Sequence, residues 1–101
     1  MGTAYVALLL IDLHFPEADS LKAKRKELQS VKAQLHGRLG AAVAEVDHHD
    51  LWQRARLSAV LTSGEMGQLE RMANTVERWL VDRYPDGVAV QKRFSSDEDI
   101  G

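Results

Sequence analysis

Gln53-Arg54-Ala55-Arg56-Leu57-Ser58-Ala59-Val60-Leu61-Thr62 is the stretch that decides how this chain folds. Ala55, Leu57, Ala59 and Leu61 fall on one parity, while Arg54, Arg56, Ser58 and Val60 fall on the other. Successive strand side chains point to opposite faces, so this reads as a β-strand with one dry face and one mostly polar face. Just upstream, Asp47-His48-His49-Asp50 supplies turn chemistry. Ala41 to Val46 alternates weakly and reads as a short strand, which makes the pair a β-hairpin.

The hairpin lies between two helical patterns. Downstream, Thr62-Ser63-Gly64-Glu65 has the form of a capping box, with Thr62 as the cap. Leu69, Met72, Ala73, Val76, Trp79 and Leu80 then make the stripe of an amphipathic helix, with Trp79 at its core rim. Upstream, Ser20 is a good N-cap. Leu21, Leu28, Val31, Leu35 and Leu39 follow on one helical stripe, and Gly37 and Gly40 end it. At the outer ends, Tyr5 to Leu13 is apolar on both parities, as in a central strand partly covered on both faces. Pro16 breaks it. Tyr84-Pro85-Asp86-Gly87 is a turn, Val88 to Phe94 a last strand, and 95–101 an acidic, flexible tail.

The order is therefore β-α-β-β-α-β, two split βαβ units. That order predicts an α+β, ferredoxin-like sandwich: a four-stranded antiparallel sheet with two helices on one face and the first and third strands in its middle. A chain of 101 residues fits one such domain, over 1–94. There is no Cys, which excludes disulfides and thiolate metal sites. Ala4 to Ile11 is too short to span a bilayer, and no basic region precedes it. The chain reads as a cytoplasmic protein with no membrane contact.

Two segments carry a family likeness. One is Ser20-Leu21-Lys22-Ala23-Lys24-Arg25. The other is Val43-Ala44-Glu45-Val46, followed after the turn by Asp50-Leu51-Trp52-Gln53-Arg54-Ala55. Together they resemble the YlxP-like family of small bacterial proteins of unknown function, over about Val6 to Phe94. The resemblance implies the same fold, and a gene that often lies near translation-initiation and ribosome-maturation genes. It carries over no catalytic residue. The motif positions Ser20, Leu21, Lys24, Asp50, Trp52, Gln53 and Arg54 come across with their role unknown. This chain departs at Ala23, where an acid is common, and at His48-His49. The missing acid makes the adjoining patch more basic.

Charge is distributed unevenly. The net charge is −2, yet 20–38 holds six cations against one acid, Glu27, while 95–101 holds three acids and no cation. Lys22, Arg25, Lys26, Gln29, Lys32 and His36 fall within about 120° of one another on the helix. This stripe is either an ordinary solvated face or a phosphate-contact surface, in which Lys22, Arg25, Lys26 and Lys32 bind nucleic acid. Lys24 points instead into the apolar stripe, about 60° from Leu21 and about 40° from Leu28. It must snorkel past the sheet end or meet a carboxylate.

Phase along the hairpin places Val43, Glu45 and Asp47 beside Arg54, Arg56, Ser58 and Val60 on the open sheet face. There the arginines pair with Glu45 or Asp47. No aromatic pair stands at mid-strand, which disfavours base stacking on the sheet itself. The aliphatic content suggests burial against a partner or a second copy. Asp47-His48-His49-Asp50, approached by His14, invites a metal reading, but adjacent turn residues seldom converge on one ion, so no metal or other cofactor is expected. Trp52 is expected to pack a sheet end with its indole N–H bonded. No catalytic motif is present: there is no Cys nucleophile, Gly-rich phosphate loop or base–nucleophile pair. Acylphosphatases share the fold, but their phosphate loop needs an Arg that Phe15 to Asp19 lacks. The sequence thus points to a non-enzymatic binding protein, an accessory factor for structured RNA or ribosomal particles. The alternative is a homo-oligomeric interaction module built on the open sheet face.

Overall fold

The computed structural model describes residues 2–100; Met1 and Gly101 lie outside it. The elements are β1 (Tyr5–His14), α1 (Leu21–Gly37), β2 (Ala42–Asp47), β3 (Arg54–Ser63), α2 (Met66–Arg83), β4 (Val88–Ser96) and α3 (Asp97–Ile100). The strands form one antiparallel sheet in the order β2-β3-β1-β4, the expected βαββαβ arrangement with β1 and β3 central.

Strand phase builds the core. Ala7, Leu9, Ile11 and Leu13 of β1 lie opposite Leu61, Ala59, Leu57 and Ala55 of β3, and all eight are buried. Leu28, Val31 and Leu35 of α1 and Leu69, Ala73, Val76 and Leu80 of α2 close over that face. Each large aliphatic so buried contributes roughly 1.5–3 kcal/mol before entropy is counted. The Ser20 hydroxyl accepts a hydrogen bond from the Ala23 amide at 3.1 Å and caps α1. Gly40, at φ 72, supplies the left-handed residue that turns the chain out of α1. At Gly87 an added Cβ would lie 3.0 Å from the His14 carbonyl oxygen, because the tight turn presses against the end of β1.

Three local expectations are corrected. Thr62 does not cap α2. It stays in β3, where its hydroxyl donates to the Tyr5 carbonyl at 2.8 Å, and the helix begins at Met66 after Ser63 binds the Glu65 amide and Gln68. The acidic tail begins later than 95, because Ser95 and Ser96 pair with Val6 and Tyr5 and the Asp97 amide donates to Ala4 O at 2.9 Å. Asp97–Ile100 then make one helical turn.

The third correction concerns the hairpin. Val43 faces Ala59 and Glu45 faces Leu57, so both point toward the helices rather than onto the open face. An irregularity between Glu45 and Asp47 then shifts the phase and places Asp47 opposite Arg56, on the open face as expected. A single extra residue thus sends two neighbouring acids to opposite sides of the sheet. Across β1, Arg56 Nε lies 3.9 Å from Asp12 Oδ1, so its closest carboxylate is Asp12 rather than Glu45.

Candidate nucleic-acid interface

Two connections meet at one end of the sheet, β1–α1 and β2–β3, and most of the motif residues lie there. Lys24 is 1% exposed. Its ammonium lies 3.4 Å from Glu45 Oε2 and donates to the His48 carbonyl at 2.5 Å. His48 holds φ 63, a left-handed conformation that a non-glycine residue keeps only when held in place. Its amide donates to Asp47 Oδ1 at 2.7 Å and its carbonyl receives Lys24, which fixes the residue from both sides. Lys24 therefore finds its carboxylate, and that carboxylate is available because the strand phase brings Glu45 inward.

Gln53 is the second staple. Its side-chain amide donates to Pro16 O at 3.2 Å and Ala18 O at 3.3 Å, and its backbone carbonyl accepts from the Phe15 amide at 2.8 Å. Lys24 and Gln53 thus hold the two connections together, while Ser20 caps α1 and Leu21 is half-buried beside it. Asp50, Trp52 and Arg54 are exposed and line an open cleft of about 520 Å³ with Leu51 and Gln53. Trp52 corrects the expectation that it packs the sheet end. It is 52% exposed, and its indole donates no hydrogen bond among the described residues. The side chain that reaches from the hairpin to the β1–α1 connection is Gln53, not Trp52.

The cationic stripe lies along the outward side of α1. Lys22, Arg25 and Lys26 are exposed and Lys32 is half-buried. None of the four forms an ion pair among the described residues. The one acid of α1 is engaged elsewhere: Glu27 accepts from Arg83 at 3.1 Å and from the Tyr84 hydroxyl. His36, also on the stripe, has Nδ1 3.1 Å from the Ala41 carbonyl and donates there.

The Glu27–Tyr84–Arg83 cluster ties α1 to the end of α2, and no motif or periodicity in the chain signals it. Arg83 also stacks over Trp79, 5.4 Å from the ring centroid. The hydrogen bond from Tyr84, with lesser help from Arg83, outweighs burial and holds the Glu27 carboxyl below its ordinary value. Burial and that same bond push the Tyr84 hydroxyl up to about 12. A raised acid pKa stabilises the fold below the unfolded tyrosine value of about 10, and that stabilisation is lost as pH rises through the folded value. The depressed Glu27 contributes above the unfolded carboxylate value, and its share fades as pH falls through the folded one. Ultraviolet titration is expected to show one late-ionising tyrosine, absent in Tyr84→Phe. Tyr84 ionising near the ordinary tyrosine value of about 10 would mean the pair does not form. Beside the cluster lies an apolar cleft of about 340 Å³, lined by Phe15, Pro16, Ala18, Ala23 and Tyr84 among others.

Among the described residues no group of three or more His, Asp or Glu side chains is placed to hold a metal ion. No helix among them is long and apolar enough to cross a membrane.

A family model described as a protein of unknown function, DUF503, matches residues 6–92. The chain belongs to this family. A search of curated proteins finds no match. Among solved structures this DUF503 chain is similar to a de novo designed protein, Foldit4, at TM-score 0.57 and 11% identity, over 91% of this chain and 96% of that one. It is also similar to a protein described as a putative PII-like signaling protein from Thermus thermophilus, at TM-score 0.51 and 17% identity, over 95% and 91% of the two chains. At such identities the likeness extends to the fold of the DUF503 domain.

Proposed function

We propose that this protein is a non-enzymatic accessory factor of the cytoplasm that contacts structured RNA, in the setting of a ribosomal particle, through α1. One observation carries the reading. Lys22, Arg25, Lys26 and Lys32 lie along α1 with no carboxylate pairing them among the described residues, while the nearby acids Glu27 and Glu45 are committed to Arg83, Tyr84 and Lys24. Cations in the first turns of a helix oppose its dipole, so local helix stability does not explain Lys22. A polyanion does, because phosphates replace the missing counter-charges and release their own counterions. The resemblance to the YlxP-like family, with genes near those of translation, agrees with this. Titration of a structured RNA at two salt concentrations tests it. Affinity is expected to fall steeply with salt, and no binding at low salt would overturn the reading.

A second reading rests on the open sheet face, for which we propose a second copy of the chain as occupant. Leu8 and Leu10 are half-buried there beside Val60 at 40% exposure. Ser58 stands opposite Leu10 on the β3 side, with Ala44 beyond it, and on the β4 side Arg93 and Gln91 stand opposite Leu8 and Leu10, so a partner packs on an aliphatic strip with a polar border. Asp12 and Arg56 supply both signs of charge for a self-complementary contact. Sedimentation is expected to show a concentration-dependent dimer that Leu10→Asp abolishes. A monomer at high concentration would overturn it.

A further inference from the structure

We infer that Trp52, with Arg54 and Asp50, is a stacking site for a single-stranded nucleobase bearing an exocyclic amino group. The inference rests on the α1 reading and extends it from phosphate contact to base contact. Trp52 is the largest exposed apolar side chain among the described residues, with Leu51 exposed next to it. An apolar ring that size gains nothing from facing water. The backbone beneath it is nevertheless held firmly. The Leu51 amide donates to His48 O at 3.1 Å, Lys24 holds that same carbonyl, and Gln53 is bonded three times to the β1–α1 connection. A ring presented this way loses little conformational entropy on binding a flat partner.

The chemistry of the cleft selects that partner. Base–aromatic stacking needs only a π-face, and a guanidinium beside the ring adds a planar cation that pairs with phosphate or stacks in turn. Arg54 stands two residues from Trp52 and lines the same cleft. Asp50, also in the lining, is an acceptor with no donor role when ionised. It therefore prefers cytosine, adenine or guanine, whose exposed amino groups donate to it, over uracil, whose ring N–H is flanked by two carbonyl oxygens that repel a carboxylate. The helix that carries Lys22 and Arg25 starts from Ser20, directly after the connection that Gln53 grips. A strand whose base rests on Trp52 therefore has phosphates within the reach of the same end of the molecule. Mid-strand stacking remains disfavoured; the aromatic sits at the hairpin end instead.

The full chain with Trp79→Phe, so that emission reports Trp52, is titrated with a short cytidine and a short uridine oligoribonucleotide. Quenching by the cytidine strand is expected, with weaker binding of the uridine strand. Read by the anisotropy of a dye-labelled cytidine strand, Trp52→Ala is expected to lose roughly tenfold in affinity with its salt dependence unchanged, and Trp52→Phe to keep most of it. Circular dichroism checks that each variant folds. Equal affinity of Trp52→Ala and wild type overturns the stacking site and leaves the α1 reading standing. Loss in Trp52→Ala with none on reversing the α1 charges keeps the stacking site and removes the α1 reading. No binding of either strand by the wild type at low salt overturns the stacking site, and no binding of a structured RNA as well overturns both.

Discussion

Glu45→Ala will destabilise the domain by about 3 kcal/mol, more than Lys24→Met does, although the two substitutions break the same pair. The asymmetry comes from burial. Lys24 is 1% exposed, whereas the Glu45 side chain keeps 20% of its surface in water. Removing Glu45 leaves an ammonium in the core with only the His48 carbonyl to bind it. Removing Lys24 leaves a carboxylate whose Oε2 is buried but whose side chain keeps part of its surface in water, and a single carbonyl without its donor, a loss of about 1–2 kcal/mol. Methionine has nearly the volume of the lysine stem, so little cavity forms. Joining Lys24→Met with Glu45→Gln is then expected to cost less than Glu45→Ala alone, since no charge stays buried. Urea denaturation of the three variants measures this. If Glu45→Ala and Lys24→Met both cost under about 1 kcal/mol, the pair behaves as a surface ion pair and does not anchor the hairpin.

That pair also marks where the sequence is legible. Hydrophobic periodicity places β1, α1, β3 and α2 and hence the topology, because burial selects one face of each element and periods of 2 and 3.6 show it directly. The same wheel that finds the α1 stripe puts Lys24 inside it and demands a carboxylate or an escape to water. Which carboxylate is not legible. The weak alternation Ala42 to Asp47 is compatible with either phase, and a one-residue slip exchanges the faces. Simple alternation therefore puts Glu45 and Val43 on the open face, and the irregularity after Glu45 settles the phase in the opposite sense. Lys24 itself is the available signal, since a cation in an apolar stripe must draw an acid from the neighbouring strand. The contact of Glu27 with Tyr84 joins residues 57 apart in sequence, and no local pattern encodes it. Trp52 escapes the sequence for a related reason. Composition favours burying a tryptophan, but here Gln53 makes the contact between the two connections, which periodicity does not describe, and Trp52 stays exposed.

Reversing the outer charges of α1 separates the two roles that this helix combines. In Lys22→Glu/Arg25→Glu/Lys26→Glu, affinity for structured RNA at low salt is expected to fall by at least about a hundredfold, because three phosphate contacts become three repulsions. The logarithmic salt slope should fall by about 2–3 as those counterions are no longer released. Stability should move in the other direction. The three side chains are exposed and pair with no carboxylate among the described residues, so no fold contact is lost. Glutamate near the start of α1 is favoured by the helix dipole, by a few tenths of a kcal/mol at each position in the first turn. The variant should therefore melt no earlier than the wild type while failing to bind. An ordinary solvated face predicts the same stability with no change in affinity or salt slope, and a misfolded variant predicts loss of both. Only a contact surface predicts lost affinity in a domain that is as stable as before. Lys24, on the same turns but buried, gives the contrasting result: its substitution costs stability first, because its charge is spent on Glu45 and His48 and is not available to RNA.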